Sequence, residues 1–518
     1  MSSISTKKIV LAIISGLLLT ASFAPSPLDW MVWFAWVPLL RSLNNESPAH
    51  AFLLGFMAGL VHYVTLIYWI VPTLQNYGYL DFVTSLGALV LLCLYLALYP
   101  ALFAYLICRM RESRVLGFMM GSLWVGLELV RTHFLTGFPW CLLGYTQFRN
   151  LFLIQVADLA GVYGISFMIV LANGLIYRLV FHRHTSGRRG LRWEITGLLL
   201  VVAFSLAYGQ YRLAGGENNG KGGKSIKAAI IQGNIDQSIK WDPAYQEMSV
   251  DTYHRLTLSA SPFKPDLVVW PETAMPFFFQ DNEDLSPRLF ETAGQADADL
   301  IFGSPAYKKT DSGTKYYNRV YLLSRHGELA GYYDKVHLVP FGEYVPYRWL
   351  FPFFRHLLHA AGNFASGEKI EPLALTNHSA GILICFEVIF PELARIQTRE
   401  GAAILVNLTN DAWFGRTSAP HQHLSMAVFR AVENRRPMIR AANTGFSAFI
   451  GHRGHIMARS QLFTEEVLTR ELGLRPPSMS FYTRYGDLFA FLLLGISLLG
   501  ILHMIYYEKL RLRRSKRS

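Results

Sequence analysis

The sequence predicts a chain of two classes of structure: a bundle of about eight membrane-spanning helices, and a layered α/β domain inserted before the last of them. Three observations predict it. Apolar runs close to the 20 or so residues that cross a bilayer crowd into residues 1–213 and recur once near the C-terminus. Clusters of Lys and Arg border those runs. Between Ser225 and Pro477 the pattern changes to short β-branched runs separated by helical periodicity. Composition agrees, because only 16% of the 518 residues are charged and 52% are hydrophobic, against roughly 25% charged in soluble domains. The net charge of +12 does not indicate nucleic acid. Basic clusters beside long apolar segments are topology determinants rather than a reading face.

The candidate spans, in order, are Ile9–Ala24, Leu28–Leu43, Ala51–Leu74, Phe82–Ile107, Val115–Val130, Val162–Phe181, Trp193–Leu213 and Leu488–Tyr507. The first, second and fifth are short for a crossing. The first also resembles a signal peptide, with Lys7 and Lys8 before the apolar run and Ser22-Phe23-Ala24 as small residues after it. Pro25 directly after that point favours a retained helix. Phe134–Leu159 is apolar but broken by Gly137, Pro139 and Gly144, and reads as a loop on or in the membrane.

The positive-inside rule tests this plan. If Lys7 and Lys8 are cytoplasmic, then Arg41, the group Arg109, Arg111 and Arg114, and the group from Arg183 to Arg192 fall on the same side. The connection Gln75–Asp81 on the other side has no Lys or Arg, although Arg131 and Arg149 are exceptions in the long connection between the fifth and sixth spans. Seven crossings place the segment after Leu213 outside the cytoplasm, and the last returns a basic tail, residues 508–518, to the inside. The expected organisation is a membrane domain at 1–213, a Gly-rich linker at 214–224, a catalytic domain at 225–477, a final helix with its lead-in at 478–507, and the tail.

Inside the polar domain, Ala228–Gln232, Leu267–Trp270, Leu300–Phe302, Ile382–Ile384 and Ala403–Val406 are nearly continuous apolar runs that suit buried strands. Helical patterns at Tyr245–Ala260 and Leu285–Asp297 separate some of them, so an α/β layered domain follows. Three strings in this domain carry reactive side chains at or just beyond such runs. They are Trp270-Pro271-Glu272-Thr273, the stretch Tyr333-Asp334-Lys335-Val336-His337 continuing to Gly342-Glu343, and Ile384-Cys385-Phe386-Glu387. A thiol attacks as its thiolate and needs a base or a nearby cation. Glu272 can take the proton of Cys385. Lys335, with a backbone N–H near Cys385, can hold the oxyanion formed at an ester or amide carbonyl. Taken singly, each residue has an ordinary reading: a packed core thiol, a helix-capping carboxylate, a solvated lysine.

Taken together, the ordered Glu272, Lys335 and Cys385 in these strings resemble the nitrilase superfamily and, within it, the apolipoprotein N-acyltransferase family. Further matching strings are Gln232-Gly233-Asn234-Ile235 with Trp241, Tyr317-Asn318, Asn410-Asp411-Ala412-Trp413-Phe414-Gly415, Arg440 through Gly445, and Phe138-Pro139-Trp140 and Asp158 through Gly164 in the membrane part. The resemblance spans nearly the whole chain. It implies an eight-helix membrane domain beside an extracytoplasmic nitrilase-like αββα sandwich. It also implies a ping-pong transfer of an acyl chain from a membrane phospholipid, through a thioester on Cys385, to the α-amino group of the S-diacylglyceryl cysteine of an apolipoprotein. The resemblance makes Glu272 the base, Lys335 the oxyanion stabiliser and Cys385 the nucleophile. It makes Glu343, Glu387 and Asn318 supporting residues, with Trp241 and Trp413 lining the site. Phe386 departs from the tyrosine common at that position, which removes any role for a hydroxyl there. The family implies a protein of the inner membrane with both termini cytoplasmic.

Two segments fit a lipid substrate on separate grounds. Pro276-Phe277-Phe278-Phe279 follows Glu272 and Tyr347 to Phe354 follows Glu343, so each places aromatics beside a reactive string. They serve either as core packing or as an acyl-admitting mouth. Within the spans, Glu128 and Arg131 are three residues apart and, with His62, read as structural polar groups. The four cysteines, Cys93, Cys108, Cys141 and Cys385, form no metal or disulfide pattern, and the sequence calls for no metal or other cofactor. Hydrolysis of the same thioester, as in a membrane-tethered amidase, is the alternative reaction. A transporter or scaffold with a degenerate domain is disfavoured because all three reactive positions are filled.

Overall fold

The computed structural model describes residues 4–111, 113, 115–181, 188–214, 224–237, 240–311, 313–347, 363–474 and 478–515. The glycine-rich linker and the aromatic segment after Tyr347 lie outside the described residues. The chain forms two compact units: Met1–Val71 with Asp81–Tyr211 and Asp487–Ser518, and Pro72–Leu80 with Arg212–Gly486.

The first unit is helical. Among the described residues, five helices are long and apolar enough to cross a membrane: Pro48–Leu66, Phe82–Arg109, Ala157–Phe181, Arg192–Leu213 and Leu488–Leu510. Their starts are written in the sequence. Ser47 accepts from His50 N at 3.2 Å with Pro48 opening the first turn, and Asp81 accepts from Val83 N and Thr84 N at 2.9 and 3.1 Å, supplying partners for amides that a helix start leaves bare. Gly161, at φ 61° and ψ −171°, kinks the Ala157–Phe181 helix in a conformation that a side chain opposes. Thr6–Ala21 and Leu116–His133 are helical where short spans are expected. Leu28–Leu43 is not one helix. It is a 3-10 turn at Asp29–Trp33, an irregular Phe34, and a six-residue helix at Val37–Ser42 that restarts with Pro38 in its first turn, a position that proline tolerates.

Buried polar side chains in this unit are held by neighbouring helices and loops. Glu128 Oε1 accepts from Leu143 N at 2.7 Å, while Arg131 donates to the Tyr63 hydroxyl and, at 3.5 Å, to Cys141 O. Glu128 and Arg131 therefore both hold the Cys141–Leu143 segment, and Arg131 also reaches Tyr63. His62 Nδ1 lies 2.9 Å from Thr20 Oγ1. Glu194 pairs with Arg178 and accepts from Gly117 N at 3.0 Å.

The second unit is built, among the described residues, on twelve strands: β1 Ser225–Gln232, β2 Leu267–Val269, β3 Asp299–Thr310, β4 Gly313–Leu323, β5 Leu329–Asp334, β6 Leu373–Ala374, β7 Ser379–Ile384, β8 Ile404–Thr409, β9 Met438–Ala442, β10 Ala448–Ile450, β11 Ile456–Arg459 and β12 Glu466–Gly473. They form two six-stranded sheets, ordered β12-β1-β2-β3-β4-β5 and β11-β10-β9-β8-β7-β6. Each has a parallel centre, β1-β2-β3 and β7-β8-β9. The sheets face each other across a core that includes Ile230, Val269, Ile301, Ile382, Val406 and Ile439, all inaccessible to solvent. Each such side chain contributes roughly 1.5–3 kcal/mol by burial. Helices Gln246–Ser259 and Ser286–Ala296 cover the outer face of the first sheet through Tyr253, Leu256 and Leu289. Pro391–Arg399 and Ala419–Asn434 pack on the second. This is the expected αββα layering, and all five expected strands are present.

Candidate active site

The ends of the parallel strands are where an α/β sheet leaves its loops free to hold polar groups. Glu272 follows β2, Lys335 follows β5, Cys385 follows β7 and Asn410 follows β8. The carboxylate of Glu272 is buried and fixed at both oxygens. Oε1 accepts from Asn318 Nδ2 at 2.8 Å and lies 3.6 Å from Lys335 Nζ, and Oε2 accepts from Asn410 N at 2.9 Å. Close approach of strand and loop makes this possible. A side chain at Gly303 would place its Cβ 2.3 Å from Thr273 N.

Lys335 is buried and donates to Glu343 Oε1 at 2.9 Å. Burial opposes its charge, but the carboxylates of Glu343 and Glu272 outweigh it, so the ammonium is held well above the usual lysine range. Glu343 also accepts from Asn318 Nδ2 at 2.9 Å and Val339 N at 2.8 Å. Asn318 thus bridges Glu272 and Glu343, and one lysine is shared between two carboxylates.

Cys385 sits at φ 51° at the start of a 3-10 turn, Cys385–Ile389. A non-glycine residue in the left-handed region stores roughly 1–3 kcal/mol and marks a side chain presented at a sharp strand-to-helix turn. Burial and the field of Glu272 push the thiol pKa up, against the pull of Lys335. The resting group is therefore a thiol with a carboxylate and an ammonium in its field.

Glu387 is inaccessible and ties two strand ends together. It accepts from Val336 N at 2.7 Å, His337 N at 3.0 Å, the Tyr333 hydroxyl at 3.1 Å and Ile384 N at 2.7 Å. Its donors come from both sides of Lys335 and from the residue before Cys385. Burial raises its pKa to about 7 in spite of these bonds. Phe386 packs its ring 5.3 Å from Phe390 and 6.0 Å from His337, so the aromatic ring fills space beside the lysine loop.

A network that joins Asp411 and Arg440, from two of the matching strings, to His423, which the sequence did not single out, supports the cysteine from behind. His423 Nε2 lies 3.2 Å from Cys385 O, and Nδ1 lies 3.0 Å from both Asp411 Oδ1 and Arg440 Nη2. A carbonyl only accepts, so Nε2 carries the proton for that bond and Nδ1 of the neutral ring accepts from Arg440. Burial and Arg440 lower the histidine pKa, which agrees. Arg440 Nη2 also donates to Asp411 Oδ2 at 2.7 Å; this cation holds Asp411 well below the usual carboxylate range despite burial. Asn410-Asp411 directly after an apolar strand was the available signal.

A cavity of about 520 Å³ lies beside these groups, lined by Trp241, Phe277, Phe278, Pro305, Tyr316 and Phe364 among others. Its lining adjoins the residues that hold the site. Tyr316 is two residues from Asn318 on the same face of β4, Pro305 is the cross-strand partner of Asn318, and Phe364 N donates to Glu343 O at 3.0 Å. Trp241 is half exposed on its wall. The aromatic run after Glu272 divides its work: Phe278 faces the cavity, whereas Phe279 packs against Phe290, Phe302 and Tyr321 in the core. Trp413 stands elsewhere, with its ring 5.2 Å from Tyr77 and its carbonyl accepting from Thr73 Oγ1 at 2.9 Å. Among the described residues, no cluster of His, Cys, Asp or Glu has the geometry to hold a metal ion.

The facing sheets and a cysteine beside a carboxylate and a lysine define the class, and residues 227–475 match the carbon–nitrogen hydrolase family. Residues 15–175 match the apolipoprotein N-acyltransferase N-terminal domain. A protein named apolipoprotein N-acyltransferase from Geobacter metallireducens is 47% identical to this chain, covering 94% of it and 93% of its own length. Proteins of the same name from Nitrosomonas europaea and Methylococcus capsulatus are 31% and 32% identical, over 95% and 93% of this chain and 96% and 93% of theirs. The chain belongs to the apolipoprotein N-acyltransferase family.

Proposed function

We propose that this chain moves a fatty acyl group from a membrane phospholipid to the α-amino group of the S-diacylglyceryl cysteine at the N-terminus of apolipoproteins, by way of a thioester on Cys385. The observation that carries the reading is the convergence of Glu272 and Lys335 on Cys385, in a chain that matches apolipoprotein N-acyltransferases over 94% of its length.

Glu272 takes the thiol proton as Sγ attacks the ester carbonyl of the phospholipid. Lys335, already cationic and relayed between two carboxylates, moves toward the developing oxyanion together with a backbone N–H beside Cys385, which is where fixed donors lower the barrier most. Glu272 returns the proton to the glyceryl oxygen, and lysophospholipid leaves. The amine of the lipoprotein then attacks the thioester. Asn318 and Glu343 hold Glu272 and Lys335 in register, and Glu387 fixes the spacing between the Lys335 loop and Cys385. The cavity lined by Trp241 and Phe278 offers the apolar surface that an acyl chain seeks.

In this reading the chain crosses the inner membrane several times, with both termini cytoplasmic and the α/β unit outside the cytoplasm. The support is the placement of Arg41, Arg109 and Arg111 between spans on one side and the absence of Lys and Arg from Gln75–Asp81 on the other. A membrane-tethered amidase shares the thioester but is less well supported by the chain-long similarity, which includes the N-terminal helical domain.

The test uses purified protein, phospholipid labelled in its acyl chain, and an S-diacylglyceryl peptide. Label is expected on the peptide amine, and not with the C385A variant. Label recovered only as free fatty acid would assign the protein as a hydrolase instead.

A further inference from the structure

Thr409 stands beside the nucleophile, and the mechanism above gives it no part. It ends β8, the strand next to the one that Cys385 follows. Strands β7 and β8 run parallel with Ile384 paired to Leu408, so the next residue on each, Cys385 and Thr409, are neighbours. On its other side Thr409 pairs with Ala442, and its carbonyl accepts from Asn443 N at 3.3 Å. The residue is inaccessible to solvent. Its hydroxyl donates to Asp411 Oδ1 at 2.9 Å and is also hydrogen-bonded to the Cys385 thiol. The next residue, Asn410, gives its N–H to Glu272 Oε2 at 2.9 Å. Consecutive residues thus address the sulfur and the base that deprotonates it.

A hydroxyl has one proton and two lone pairs, so Thr409 donates to one partner at a time. While the sulfur keeps its proton, the carboxylate of Asp411 is the stronger acceptor and takes the bond. A thiolate changes that balance. An anion out of water needs donors, and in the mechanism above Lys335 and the backbone N–H serve the carbonyl oxygen. Rotation about the Cβ–Oγ1 bond swings the Thr409 O–H to Sγ without moving the backbone. Asp411 stays paired meanwhile, because Arg440 Nη2 donates to its other oxygen at 2.7 Å.

We propose that the Thr409 hydroxyl is a further catalytic group, which turns from Asp411 to Sγ whenever the sulfur carries negative charge. The role rests on Cys385 being the nucleophile of the acyl-transfer reading. In thioester formation Glu272 takes the S–H proton, the S–C bond forms, and the C–O bond to glycerol breaks. Thr409 supports the sulfur while its charge rises and lets go as the neutral thioester forms. In transfer the C–N bond forms and the C–S bond breaks. The departing thiolate meets the same O–H before Glu272 brings it the proton taken from the amine. Thr409 keeps its own proton throughout, so each half-reaction balances as before.

The experiment uses full-length protein and three variants. Thr409→Val keeps the shape and removes the hydroxyl, Thr409→Ala removes it with less bulk, and Thr409→Ser keeps it. Alkylation of Cys385 by iodoacetamide, followed by mass, reads thiolate formation without lipid. Acylation by phospholipid and transfer to the diacylglyceryl peptide read the two half-reactions. Thr409→Val and Thr409→Ala are each expected to slow all three steps about 20-fold, the usual weight of a hydrogen bond to a charged group. The KM for phospholipid is expected to stay within about twofold. Thr409→Ser is expected to stay within about threefold of the unaltered protein in every step. Alkylation of Thr409→Val at the unaltered rate, or failure of Thr409→Ser to restore it, would overturn the proposal. So would a loss expressed in KM, which would make Thr409 a support of the binding surface. If Thr409→Val does not fold, Thr409→Ala carries the test. Unaltered protein that is acylated on Cys385 but never labels the peptide would defeat the acyl-transfer reading, and alkylation of the variants would still decide the role of Thr409.

Discussion

Both units of this protein bury charge, but they use it differently. In the helical unit, Glu194 is closed off by Arg178 and Gly117 N, and Glu128 is spent on the amide of Leu143. Each partner is fixed and stays fixed, so the charge fastens one segment to another. At the strand ends of the α/β unit, Lys335 is shared by Glu343 and Glu272, and Glu272 faces a thiol that still holds its proton. Those partners can be exchanged. Burial of an ionisable group is therefore a poor marker of chemistry by itself. Convergence of several such groups on one strained cysteine is a better one.

Substitutions in the two regions test this contrast. The largest effect is expected for Cys385→Ala, which should abolish transfer, by at least about 10³-fold, while leaving the melting temperature within a few degrees. A collapse of stability would make the cysteine structural. Next comes Glu387→Gln. Its amide NH₂ would oppose one set of the N–H donors that now converge on the carboxylate, so kcat should fall about 10²-fold, with loosening of the Lys335 loop read as faster amide exchange at Val336 and His337. Unchanged kcat would show that the clamp does not set the spacing of the site. His423→Phe removes the donor to Cys385 O and should lower kcat about tenfold with little change in KM; a larger change in KM would place His423 in substrate binding. The smallest effect on turnover belongs to the helical unit. Arg178→Met leaves Glu194 buried without its cation and should cost about 3 kcal/mol of stability, yet transfer per folded molecule should stay within about twofold. Loss of turnover there would erase the distinction between the two regions.

Much of this was legible because each feature had a local cause. Apolar runs long enough to span and short apolar runs bounded by polar residues are properties of contiguous sequence, and the strands around Ile230, Val268 and Leu383 lie where periodicity put them. Glu272 and Cys385 were legible because each closely follows an apolar strand run, and Lys335 because its string resembles that of a known family. The apolar stretch Leu28–Leu43 misled because hydropathy does not register Pro38 and the irregular Phe34 that divide it. The remaining site residues depend on distant pairing. His423 meets Cys385 across 38 positions, and Gln237 meets Asn410 across 173. Nothing local in a histidine or glutamine records such a partner. Glu387 was expected to support the site, and its four donors tie the Lys335 loop to the residue before Cys385. Phe386 was expected to keep a ring without a hydroxyl, and the ring packs beside Phe390 and His337.

The most direct measurement is the mass of the peptide containing Cys385, taken after incubating the protein with phospholipid and again after adding a diacylglyceryl peptide. One acyl group should appear on Cys385, labile to hydroxylamine, and then vanish as the acceptor gains the same mass. A Cys385 peptide that never gains an acyl mass while the acceptor peptide is still acylated would contradict the account.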